Sequence, residues 1–106
     1  MRISIKPLSV NEAWKGRRYK TATYKRYEHA VYWMLPKIAF PEGKLKLSLT
    51  FGFSNSGADI DNPVKPILDI LQKKYKFNDN QIYELNLKKE IVSKGSEFIE
   101  IKIMEL

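Results

Sequence analysis

The chain has 106 residues, a formal net charge of +7, a hydrophobic fraction of 43% and no cysteine. That is one globular domain with a single core, and it excludes a disulfide framework, a thiolate metal site and a cysteine nucleophile. His29 is the only histidine, so His-rich metal sites and Ser-His-Asp chemistry are largely excluded as well.

No apolar run approaches the roughly 18 residues of a membrane span, and no signal peptide opens the chain. A cytoplasmic protein with no membrane partner is expected, and the positive charge suits a polyanion without naming it.

Residues 1–6 alternate apolar and polar, with Ile3 and Ile5 inward, and read as a first strand that Pro7 ends. Residues 8–20 form a polar connection in which Lys15, Arg17, Arg18 and Lys20 surround Gly16, with Trp14 and Tyr19 interleaved. Basic and aromatic groups mixed in this way can grip phosphates and stack on unpaired bases. The plainer alternative is a solvated loop whose aromatics tuck onto the core.

Thr21 or Thr23 caps a helix that runs to about Leu35 and stops at Pro36. Tyr24, Tyr27, Val31, Met34 and Leu35 form its inner face, while Tyr32 and Trp33 add apolar bulk on a second side, suited to a subunit contact or a sheet. Lys25 and Arg26 lie at the helix start, where the dipole disfavours them; a ligand or plain solubility accounts for them. His29 reads as a surface residue on the helix flank.

Pro41-Glu42-Gly43 is a turn, after which Leu45, Leu47, Leu49, Phe51 and Phe53 alternate with smaller or polar residues in a half-buried strand. A loop from Ser54 to Gly57 leads to a helix over residues 63–76. A strand over 82–92, a turn at Lys94-Gly95-Ser96 and a last strand from Phe98 to Met104 complete the chain. The order β-α-β-α-β-β predicts an α+β domain spanning 1–106, with two helices on a mixed, mainly antiparallel four-stranded sheet.

All four aspartates, Asp59, Asp61, Asp69 and Asp79, fall within one short stretch of a basic chain. Such a gathering suggests a metal site facing an anionic substrate. In extended backbone Asp59 and Asp61 point to the same side, with alpha carbons about 7 Å apart, so both carboxylates could lean toward one cation. Asn62-Pro63 reads as a helix start, with Asn62 or Asp61 as the cap. Pro66 fits that choice poorly and favours a later cap or a distorted first turn.

Val64, Ile67, Leu68 and Leu71 make one face of that helix apolar; Lys65, Asp69, Gln72 and Lys76 lie opposite. Lys65 is one turn on from Asp61 and could reach the same spot. Ordinary helix capping explains one such aspartate, but three nearby carboxylates repel one another unless cations or protons relieve them.

The pattern Asp59-x-Asp61-Asn62-x-x-Lys65, then Asp69 and Asp79-x-Gln81-Ile82, resembles the RusA-type Holliday-junction resolvases, small endonucleases common in phages and prophages. The run from Pro7 to Trp14, followed by Gly16-Arg17-Arg18 and the tyrosine-rich helix, resembles the same family. The resemblance covers nearly the whole chain. It implies metal-dependent cleavage of branched DNA, such as a four-way junction, by a homodimer. Asp59, Asp61 and Asp79 would bind magnesium, with manganese as the substitute, and Lys65 would be the essential basic residue beside them. Many members carry two acids before x-Gln-Ile, whereas this chain has Asn78-Asp79.

Under that reading Lys65 positions or stabilises the scissile phosphate, and Asp69 orients Lys65 or supports the metal ligands. Lys15, Arg17, Arg18 and Lys20 supply sequence-neutral backbone affinity. Two other classes stay open: a non-catalytic basic nucleic-acid-binding module with structural aspartates, and a protein-interaction domain whose charge serves solubility.

Overall fold

The computed structural model describes residues 1–9, 14–15 and 19–106, with only the backbone of 14, 15 and 19. The expected order holds: β1 (Arg2–Ile3), a small hairpin of β2 (Trp14–Lys15) and β3 (Tyr19–Lys20), α1 (Ala22–Met34), β4 (Leu45–Phe53), α2 (Val64–Tyr75), β5 (Ile82–Ile91) and β6 (Phe98–Glu105). A 3-10 turn, Asp79–Gln81, precedes β5. The first strand is shorter than its alternating pattern suggests, and the hairpin falls inside the segment expected to be a plain connection. Among the described residues, no helix is long and apolar enough to cross a membrane.

The main sheet has the order β1-β6-β4-β5. β4 pairs antiparallel with β6 and parallel with β5. A parallel pair needs a crossover, and α2 lies within it. The strands before and after the aspartate stretch are therefore neighbours, as expected.

Alternation on β4 sends Leu47, Leu49, Phe51 and Phe53 into one core with Ile99 and Ile101 of β6. Against them pack Tyr24, Tyr27, Val31 and Leu35 from the first helix and Ile67, Ile70 and Leu71 from the second. Each such side chain contributes about 1.5–3 kcal/mol on full burial. Met34, expected inside, is 46% exposed, because Leu35 turns inward beyond the end of the helix.

The opposite face is lined by alternating residues such as Lys46, Ser48 and Thr50. There Gly52 faces Phe98, whose ring lies where a β-carbon would stand, and Arg2 covers that ring at 3.9 Å.

At the start of α2 the cap falls later than Asn62 or Asp61, the alternative that Pro66 favours. Pro63 occupies the cap position and no side chain caps the helix. Pro66 is then the third helical residue, where the backbone N–H has no intrahelical partner anyway. The buried stripe is Pro66, Ile67, Ile70 and Leu71, so Val64 and Leu68 are left half-buried at its margin. Lys76 is not on the helix but at its left-handed end, with φ 57°.

On β5 the apolar positions Ile82 and Leu85 break a strict alternation. A register shift explains it: Leu45 faces Ile82 and Lys46 faces Glu84, so Tyr83 is an extra residue.

Candidate active site

The aspartate loop leaves β4 and is folded on itself by Asn55, whose Oδ1 accepts the Gly57 N–H at 2.9 Å and whose carbonyl accepts the Ala58 N–H at 3.2 Å. The backbone then turns rather than staying extended, and the Asp61 carbonyl accepts the Val64 N–H at 3.1 Å. Period-2 facing does not survive a turn. Asp59 and Asp61 accordingly line different recesses.

Asp61 shares a cleft of about 340 Å³ with Lys65, Asp69, Gln72 and Asp79. Val64, Leu68, Leu85 and Leu87 line it as well, supplying apolar walls. Lys65 reaches Asp69 at 3.8 Å, one turn on, with its side chain 64% exposed. An exposed pair of this kind is worth about 0.3–0.5 kcal/mol, so the ammonium is easily drawn to a stronger anion.

Asp79 arrives from the other end of α2. Asn78 caps the 3-10 turn, accepting the Asn80 N–H at 3.0 Å, and the Gln81 Oε1 accepts the Asn78 N–H at 3.0 Å. An acid at 78 would keep that acceptor; the asparagine serves the cap without adding charge. Gln81 also donates to the Gly43 carbonyl at 3.1 Å. The Gln72 Oε1 accepts the Asp79 N–H at 3.0 Å, tying the turn to the helix.

Asp59 lies beyond the turn, beside Lys6, Ser9 and Asn55, and accepts a 3.3 Å hydrogen bond from Asn62. Among the described residues, no three carboxylate or imidazole side chains are already gathered as a metal cage.

Of the residues expected to contact nucleic acid, Arg17 and Arg18 lie outside the described residues, and Lys15 is described by its backbone in β2. Lys20 is paired with Glu28 at 3.0 Å and lies 5.1 Å from the Tyr24 ring centre. Lys73 meets the same carboxylate at 3.0 Å. Burial alone would raise the Glu28 pKa, but the hydrogen bonds from Lys73 and Lys20 hold it below the usual carboxylate value.

Two site-building residues escaped the sequence reading of roles. Gln72 was seen only as part of a polar face. Lys89 was not singled out, although its parity on β5 matches Leu85 and Leu87 on the inward side. Its ammonium donates to the Ser56 carbonyl at 2.9 Å and to the Ala58 carbonyl, clamping the aspartate loop. A lysine at an inward strand position was the available signal.

A small basic α+β domain with carboxylates and a lysine around one open cleft has the make-up of a nuclease. The family model for Endodeoxyribonuclease RusA matches residues 6–104. The chain belongs to that family, whose activity is the endonucleolytic resolution of Holliday junctions. Among curated proteins, no sequence matches it.

Proposed function

We propose that the protein is a magnesium-dependent endodeoxyribonuclease (manganese being the substitute) that resolves four-way and related branched DNA by paired phosphodiester hydrolysis as a homodimer. One observation carries the reading. Asp61 and Asp79, from opposite ends of α2, line one cleft with Lys65. Neither carboxylate takes a hydrogen bond or ion pair from another described residue.

Two carboxylates in a roomy cleft suit magnesium, which keeps several waters and uses few protein oxygens. Asp61 and Asp79 would hold the ion, and Asp59 is proposed as the third carboxylate from across the turn. The ion, when bound, supplies Lewis acidity toward the phosphate and its attacking water.

The remaining chemistry belongs to the chain. Lys65 releases its weak pairing with Asp69 and binds a non-bridging phosphate oxygen, countering charge that develops as water adds to phosphorus. One bridging P–O bond breaks, leaving a phosphate and a hydroxyl terminus. Gln72 and Lys89 touch no reacting atom; they hold Asp79 and the aspartate loop in position.

Support for a homodimer comes from β5. It is an edge strand of the main sheet, and Tyr83, Leu85 and Ile91 on it are exposed. The unpaired backbone of an edge strand is a template for pairing with another chain, and a two-fold pairing there would put two clefts side by side.

The test is cleavage of a labelled four-way junction and the matching linear duplex, with magnesium and with chelator, by wild type and Asp61→Asn. Paired magnesium-dependent nicks confined to the junction and absent in the mutant are expected. A fully active Asp61→Asn would remove this site, and binding without cleavage under every metal would favour a non-catalytic binding module.

A further inference from the structure

A second recess lies along α1 and α2, away from the acidic cleft. It is lined by Lys25, Glu28, His29, Tyr32, Trp33 and Lys73. Trp33 keeps 69% of its surface exposed, unusual for a large aromatic that packing could have covered. Its ring is held in place: Tyr32 meets it edge-on at 5.5 Å and His29 at 6.4 Å. Lys74 lies 4.3 Å from the Tyr32 ring centre and 5.4 Å from that of Trp33.

The charge around these rings is one-sided. Lys25 and Lys73 line the recess with one acid, Glu28, whose carboxylate already serves Lys20 and Lys73, and Lys74 adds its charge over the rings. A framed, exposed indole among ammonium groups offers a π-face for a base and cations for its phosphates. A two-fold contact with a second copy of this chain would set these like charges against themselves.

The recess is joined to the cleft through α2. Asp69 lines the cleft, and its charge is felt by both Tyr24 and Lys73. From Lys65 to Lys73, which lines the recess, the helix axis advances roughly 12 Å and turns by only about 80°, three to four base steps at about 3.4 Å. One strand could therefore engage both places.

We propose that Trp33, framed by His29, Tyr32 and Lys74, is a stacking platform for an unpaired nucleobase of the DNA engaged at the cleft, with Lys25, Lys73 and Lys74 taking the adjoining phosphates. The occupant is single-stranded DNA, as a branch point supplies where its bases are unpaired. The inference rests on the nuclease reading for its substrate, but its test does not depend on cleavage.

Binding of fluorescently labelled oligothymidylate and of a blunt duplex is measured in chelator for wild type, Trp33→Ala, Trp33→Phe and Lys74→Gln. Melting curves confirm folding, and sedimentation without DNA reports the oligomeric state. Trp33→Ala should bind oligothymidylate about tenfold more weakly or worse, since stacking is worth that much per base. Duplex affinity should move far less. Trp33→Phe should recover most of the loss, and Lys74→Gln should weaken binding and flatten its salt dependence.

Equal oligothymidylate affinity for Trp33→Ala would overturn the platform. So would a shift of that variant to a smaller sedimenting species, because the face would then be a subunit contact. If wild type cuts no junction in magnesium yet shows the Trp33 dependence, the nuclease reading fails and the platform stands.

Discussion

Gln72 joins Asp79 to the body of the fold: its Oε1 accepts the Asp79 N–H at 3.0 Å while its Nε2 donates to the Leu68 carbonyl at 3.3 Å. The amide thus spans from the helix backbone to the turn, so the cleft's far wall is anchored to the helix that carries Lys65. Gln72→Ala should lower cleavage about 10–100-fold, the usual cost of losing such a supporting partner. More magnesium should be needed for half-maximal rate, with junction binding in chelator unchanged. Wild-type magnesium dependence in the variant would show that the bond is only structural.

The clamp from Lys89 should matter in a different way. Lys89→Met keeps the stem but removes both donors to the Ser56 and Ala58 carbonyls. Stability should fall by about 1.5–3 kcal/mol, as for hydrogen bonds to charged groups, and amide exchange should quicken at 56–61. Activity should drop more than stability does. Unchanged exchange in that loop would refute the clamp.

Glu28 predicts a pH effect. Its folded pKa lies below its ordinary value, so the unfolded chain takes up the proton first as pH falls. Its contribution is complete above the unfolded carboxylate range and is lost as pH falls through the lower folded value. Glu28→Gln should therefore melt below wild type at pH 7, with the gap closing below about pH 4. Thermal melts from pH 7 to 3 would show this; a gap that does not narrow would mean that the ion pairs with Lys20 and Lys73 contribute little.

Gly52 has no room for a side chain, because a β-carbon would overlap the Phe98 ring. Gly52→Ala should push that ring from beneath Arg2 and cost about 1–3 kcal/mol, read as a lower denaturant midpoint. Adding Phe98→Leu should recover part of the loss, and additive losses would argue against the overlap.

For the β5 edge, wild type should sediment at twice the 12.4 kDa chain mass. Tyr83→Glu with Ile91→Glu, both on the exposed edge, should give monomers with retained fold. A double mutant that remains dimeric would move the subunit contact elsewhere.

The strands and helices were legible because their signals are local. Strict alternation from Leu45 to Phe53 and the apolar spacing of Val64, Ile67, Leu68 and Leu71 each describe one element in its own neighbourhood. Of the site residues singled out from the sequence, Asp61, Asp79 and Lys65 line one cleft while Asp59 lines another recess. The site's detailed geometry was not legible. The same-side facing of Asp59 and Asp61 assumed extended backbone, and the turn that closes on Val64 removed that assumption. Tyr83 hid a register shift because an extra residue leaves no mark in composition.

By itself, the sequence determined the α+β order, the gathering of aspartates in a basic chain and the family pattern, all carried by residues close together along the chain. Tertiary structure decided which carboxylates share a cleft, and it made Gln72 and Lys89 the supports of that cleft. It also left Trp33 facing solvent among lysines. Lys89 meets Ala58 across 31 residues, a contact that exists only once β4 and β5 pair, and no local propensity encodes it.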